Sequence, residues 1–67
     1  MFGKNFRKLR EGKGLTQAAM DEVFELTRGT VSNWENGYSW PEEELLEEIA
    51  AYFGVKVYML TQREGNA

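Results

Sequence analysis

Apolar residues recur at helical spacing along nearly the whole chain. Phe2, Phe6 and Leu9 stand at i, i+4 and i+7, which predicts an amphipathic first helix ending near Gly12 and Gly14. Met20, Val23 and Phe24 build the next apolar face. They belong to a helix whose start Thr16 is placed to cap with its hydroxyl, with Gln17 at the first helical position. A third helix restarts at Thr27, again a hydroxyl cap, turns Val31 and Trp34 inward, and stops at Asn36 and Gly37, a pair suited to the left-handed conformation that follows a helix. Trp34 invites a base-stacking role, yet its phase with Val31 assigns it to the core. Pro41 suits the first turn of a fourth helix, whose buried stripe is Leu46, Ile49, Ala50 and Phe53 and which closes at Gly54. A last short helix over 57–62 offers Val57 and Leu60 inward. The expected fold is therefore all-α, a compact five-helix domain over residues 1–63 followed by a polar tail at 64–67.

Residues 15–37 organise this pattern. Only about two residues separate the second and third helices, so the two must cross steeply. That geometry is the helix-turn-helix, in which the second of the two helices can enter a DNA major groove.

Thr16-Gln17, Val31-Ser32 and Glu35-Asn36-Gly37 together resemble the Xre family, the phage repressor and Cro type of helix-turn-helix. The register fits without a gap from Phe6 to Leu60, and Ile49-Ala50 with Phe53-Gly54-Val55 resembles the family's fourth helix and following turn. The resemblance implies a sequence-specific, DNA-binding transcriptional regulator, prokaryotic or phage, acting as a repressor-type domain on double-stranded DNA. It places the helix over 27–35 in the major groove, with Thr27, Arg28, Thr30, Ser32 and Asn33 as candidate base readers. Arg28 would either make a bidentate contact to guanine or clamp a phosphate, and Asn33 suits adenine. Gly29 leaves one usual reading position without a side chain. Thr16, Gln17, Asn36, Arg10, Lys4 and Lys13 are the candidate phosphate contacts, which fix register while the groove contacts read bases. Arg10 and Glu35 occupy positions at which several such repressors carry an ion pair; the alternative is two exposed surface charges. The family gains affinity by binding two half-sites about 34–36 Å apart, so a homodimer on DNA is expected, with Lys56, Tyr58 and Met59 as its contact.

Composition narrows the classes. A chain of 67 residues holds one domain at most, near the lower size at which a single core sustains a fold. It has no cysteine and no histidine, which argues against disulfides and the usual zinc sites, so no metal and no cofactor are expected. Stability must come from helix packing, to which an aromatic share of 13% brings large apolar groups. No apolar run approaches the roughly 20 residues of a membrane span, and no signal-peptide pattern is visible, so a cytoplasmic protein is the default expectation. No polar nucleophile sits among clustered acids and bases, and an enzyme is not expected.

The net charge of −3 opposes simple nucleic-acid binding, but it is unevenly distributed. Before Tyr38, six cations (Lys4, Arg7, Lys8, Arg10, Lys13, Arg28) slightly outnumber five anions. After it, Lys56 and Arg63 face six glutamates. A polarised molecule suits a one-faced binder better than a uniform sign would.

Two positions inside the motif and one pair after it depart from the family pattern. Asp21 stands where a small residue usually marks the closest approach of the two helices. It is expected to be a stability compromise, such that Asp21→Ala raises the melting midpoint. Glu25 occupies the turn position usually held by glycine, where positive φ costs a residue with a Cβ about 1–2 kcal/mol. Glu42 and Glu43 follow Pro41 in a loop that commonly meets phosphates; they oppose DNA if they point toward it and are harmless if they only serve the fourth helix. The acidic second half of the chain and Gly29 motivate a second reading, a helix-turn-helix fold used as a protein–protein interaction module without specific DNA binding.

Overall fold

A computed structural model describes residues 2–62, so Arg63 and the expected polar tail at 64–67 lie outside the described residues. Among the described residues five helices follow one another: α1 (Phe2–Gly12), α2 (Gln17–Val23), α3 (Thr30–Glu35), α4 (Glu43–Phe53) and α5 (Val57–Thr61). Among the described residues there is no strand.

The core is an aromatic lock between α1, α3 and α4. Phe2 and Phe6 both meet the Trp34 ring edge-on, at 5.5 and 5.6 Å between centroids, and Phe6 meets Phe53 in the same way at 5.7 Å. Edge-to-face pairs of this kind add about 0.5–1.5 kcal/mol beyond the area they bury. Met20, Val31, Ile49, Ala50 and Leu60 complete the buried set, with Leu9, Phe24, Leu46, Phe53 and Val57 packed against it. Trp34 is thus a core residue. Val23 is not: it is 43% exposed. At about 100° per residue it lies nearly opposite Asp21, which is buried, so one of the two had to face solvent.

Four of the five helices end in the same way. After α1, α2, α3 and α4 the chain enters left-handed conformation at Gly14 (φ 71°), Glu25 (φ 56°), Gly37 (φ 81°) and Gly54 (φ 71°). In each case the next residue's N–H reaches back five residues: Leu15 to Arg10, Leu26 to Asp21, Tyr38 to Asn33 and Val55 to Ala50. This is the Schellman closure, which satisfies carbonyls that the helix end leaves orphaned. Glu25 is the member of the set that carries a Cβ, and it bears the left-handed strain expected of it.

At the other ends the sequence pattern needs two adjustments. Pro41 precedes the N-cap Glu42 instead of standing in the first turn of α4. The link between α2 and α3 is six residues long, because α3 begins at Thr30 and not after Thr27. Asn5 also does what spacing did not reveal: its Nδ2 donates to the carbonyls of Leu60 and Gln62, at 2.9 Å each, and so ties α1 to the end of α5.

At Gly3 the α1 backbone lies directly against α3. A Cβ there would run into the Trp34 carbonyl oxygen and lie 3.1 Å from the Glu35 Cα. Alanine is the better helix former by roughly 1 kcal/mol, yet Gly3→Ala is expected to lower the urea midpoint by about 1–3 kcal/mol of stability, because α1 must lift off α3. A midpoint that rises in chemical denaturation would show that the two backbones are not in contact.

Candidate nucleic-acid interface

Two buried carboxylates hold α3, one at each end. Asp21, 6% exposed, sits on α2 and accepts from the Gly29 N–H through Oδ2 and from the Val31 N–H through Oδ1, both at 2.9 Å. Gly29 is the N-cap residue of α3, in left-handed conformation at φ 93°, and has no side chain with which to cap. The α2 carboxylate supplies the cap across the turn, and its charge faces the positive end of the helix. Asp21 is therefore a structural partner and not the packing compromise expected from its position. Thr27 does not cap α3 by its hydroxyl; its carbonyl accepts from the Thr30 N–H instead.

Glu35 closes the other end. Its Oε2 accepts from Arg10 Nε at 2.7 Å, and its Oε1 accepts from Arg10 Nη2 and Gln17 Nε2, each at 3.0 Å. Arg10 Nη1 donates to the Leu15 carbonyl at 2.8 Å. The side chains are 11% and 3% exposed, so the fork-to-fork pair is desolvated. The hydrogen bond to Glu35 outweighs the cost of burial and, with the nearby charges of Glu35 and Glu11, raises the Arg10 guanidinium above its ordinary range. Three helices meet in this one network: α1 through Arg10, α2 through Gln17 and α3 through Glu35.

This geometry redistributes the expected DNA contacts. Arg10 has all three nitrogens engaged inside the protein and is buried, which removes it from the phosphate-contacting set. Gln17 is half-buried with its amide nitrogen on Glu35. The Thr16 hydroxyl accepts from the Ala19 N–H at 3.0 Å, capping α2 as expected. Lys13 is exposed, its Nζ 5.2 Å from the centroid of the Tyr52 ring. Lys4 and Asn36 share a cleft of about 440 Å³ between the start of α1 and the end of α3, which Arg7 and Trp40 also line. The sequence pattern does not single out Arg7; only the crossing of α1 over α3 brings it there.

On α3 itself Asn33 is exposed and Ser32 is half-buried, and the exposed C-cap residue Asn36 donates through Nδ2 to the Ser32 hydroxyl at 3.4 Å. Thr30 is half-buried and stands four residues before Trp34, on that residue's side of the helix. Thr27 and Arg28 are exposed but lie in the turn before α3, not on its first turn. Lys56, Tyr58 and Met59 form one exposed surface on and beside α5, with Tyr58 at 61% and Met59 at 41%. Glu42, Glu43, Glu44, Glu47 and Glu48 are all exposed, and Glu42 makes no side-chain cap bond to α4.

Among the described residues, no helix is long and apolar enough to cross a membrane, and no three acidic, histidine or cysteine side chains gather as a metal site. A family model described as Helix-turn-helix matches residues 6–63. Among curated proteins the chain is 35% identical over 63 residues to the HTH-type transcriptional activator BcrR of Enterococcus faecalis, a match covering 94% of this chain and 31% of that protein. It is 36% identical over 55 residues to the antitoxin PezA of Streptococcus pneumoniae, covering 82% of this chain and 35% of that protein. The chain thus spans about a third of the length of these relatives. No solved structure matches it.

Asp21→Ala is expected to lower the thermal midpoint, by about 2 kcal/mol of stability or more, because the buried Val31 N–H and the Gly29 N–H lose their acceptors together. A midpoint that is unchanged or higher in a calorimetric melt would mean that the turn satisfies those groups without Asp21.

Proposed function

Because the chain belongs to the Xre-type helix-turn-helix family, we propose that it is the DNA-reading domain of a transcriptional regulator, acting in the cytoplasm on a two-half-site operator as a dimer. The observation that carries this reading is the division of α3. Val31 and Trp34 are buried, while Asn33 and the C-cap residue Asn36 are exposed, on a helix whose two ends are anchored by other helices. A rigidly held helix with polar residues outward is what groove reading requires. Arg28 and Asn33 are the principal base readers, with Ser32, Thr27 and Thr30 at shorter range. Lys4, Lys13, Asn36, Thr16 and Gln17 meet phosphates, with Gln17 held in place by Glu35. The named relatives, a transcriptional activator and an antitoxin, support regulation rather than catalysis.

Arg28→Ala separates base reading from simple charge attraction. On a duplex selected from a random pool by this protein, the variant is expected to lose about 1–3 kcal/mol of binding and to relax preference at one base pair. An equal loss on selected and scrambled duplexes, with a shallower salt slope, would assign Arg28 to phosphate instead.

The dimer rests on Tyr58 and Met59, whose apolar surface exceeds what the core uses. Sedimentation is expected to show weak self-association without DNA and two chains on the selected duplex. A strict one-to-one complex on every duplex bound would remove the dimer from this reading.

The five exposed glutamates along α4 favour one competing reading, a protein-binding module. For such a module, DNA affinity would stay negligible even at low salt, whereas a DNA reader's affinity falls steeply as salt rises.

A further inference from the structure

The peptide unit that joins Arg28 to Gly29 is where the turn meets α3. Gly29 is at φ 93°, and a Cβ built on it would meet nothing within 4 Å. Glycine's wide conformational range leaves such a joint loose unless hydrogen bonds fix it. Two bonds do so from the turn side: Thr30 N–H to the Thr27 carbonyl at 3.0 Å, and Gly29 N–H to Asp21 Oδ2 at 2.9 Å. The second of these grips the peptide plane attached directly to the Arg28 Cα. The other oxygen of the same carboxylate holds Val31, on the first turn of α3. Asp21 and Arg28 also line a common cleft, with Glu22 beside them.

We infer that Asp21 is a positioning residue for DNA sequence selection: by pinning the Arg28–Gly29 peptide to the start of α3, it sets where the Arg28 side chain enters the groove. A bidentate contact to a base edge tolerates a misplacement of only about 0.5 Å, while a point-charge contact to phosphate tolerates far more. Loosening the clamp therefore erodes discrimination before it erodes attraction. In this chain the base-reading arm stands in a turn ahead of the helix, and selectivity at that base is controlled from α2 by a residue that holds the backbone rather than the base. The inference rests on the assignment of Arg28 as a base reader.

The test is a double-mutant cycle on DNA binding, using a duplex selected from a random pool by the 67-residue protein and a scrambled duplex of the same length. The two clamp variants are Asp21→Asn, which turns one acceptor into a donor facing an N–H, and Gly29→Ala, which leaves Asp21 intact and strains the joint into open space. Each is measured at a temperature at which circular dichroism shows it folded. Each is expected to weaken binding to the selected duplex by about tenfold, with little change on the scrambled one, and to flatten preference at the base pair that Arg28→Ala also flattens. In the Arg28→Ala background neither should cost anything further. If the clamp variants lose the same factor with and without Arg28, Asp21 is a cap and nothing more, and the inference falls while the base reading stands. If Arg28→Ala itself leaves base preference unchanged, the base reading falls and takes the inference with it. Gly29→Ala keeps the test decisive should Asp21→Asn prove unfolded.

Discussion

A helix of six residues does not persist in water by itself: nucleation is costly, and isolated helices shorter than about 12–15 residues are marginal even with ideal composition. Yet α3, the element on which the functional reading depends, is only that long. The fold answers this constraint by fastening α3 from outside. Asp21 satisfies its first N–H groups from α2. Glu35 locks its last turn to Arg10 and Gln17. Trp34 is clasped edge-on by Phe2 and Phe6, and the Gly3 backbone lies against its carbonyl. These attachments come from α1 and α2 and none from α3 itself, so the helix exists only as a tertiary object.

Both fasteners at the ends are buried carboxylates, and the physics of buried charge makes their purpose positional. Desolvating an ion pair consumes most of the Coulombic gain, and such a pair is often no more stabilising than apolar residues of similar volume. What it does supply is geometry. The fork of Arg10 accepts one orientation of Glu35, and the two oxygens of Asp21 fix two peptide units at once. Removing one partner strands the other, so both networks are intolerant of partial loss. A fold with 67 residues, no disulfide and no histidine has few other means of making a short helix rigid.

Charge is divided between the helices. Lys4, Arg7, Lys8 and Arg10 stand on α1, where Arg7 pairs with Glu11 and Arg10 with Glu35, and Arg28 stands in the turn before α3, while Glu43, Glu44, Glu47 and Glu48 line α4. A field of this shape favours approach of a polyanion to one side and disfavours it on the other, which orients an encounter before any contact forms. It also explains how a protein of net charge −3 is compatible with a DNA-facing reading.

Much of this was legible in the order of residues. Helical spacing located all five helices, because a buried stripe must repeat near 3.6 residues whatever it packs against. Thr16 as a cap and the helix ends at Gly37 and Gly54 follow from local backbone chemistry, Trp34 in the core from its phase with Val31, and the left-handed Glu25 from the resemblance alone. The Arg10–Glu35 pair was suggested by resemblance, since nothing local connects residues 25 positions apart. Asp21 was misjudged for the same reason. As a lone carboxylate on an inward face it looks like a penalty, and only the fold shows the two N–H groups that face it. The start of α3 moved from Thr27 to Thr30 because a cap reaching across the turn outcompeted the local hydroxyl. Local sequence decides where backbone can coil and which face is apolar; it cannot decide which distant donor a buried charge will meet. That choice depends on how helices cross, and crossing is set by close contacts such as Gly3 against Trp34, which have no signature until the chain has folded.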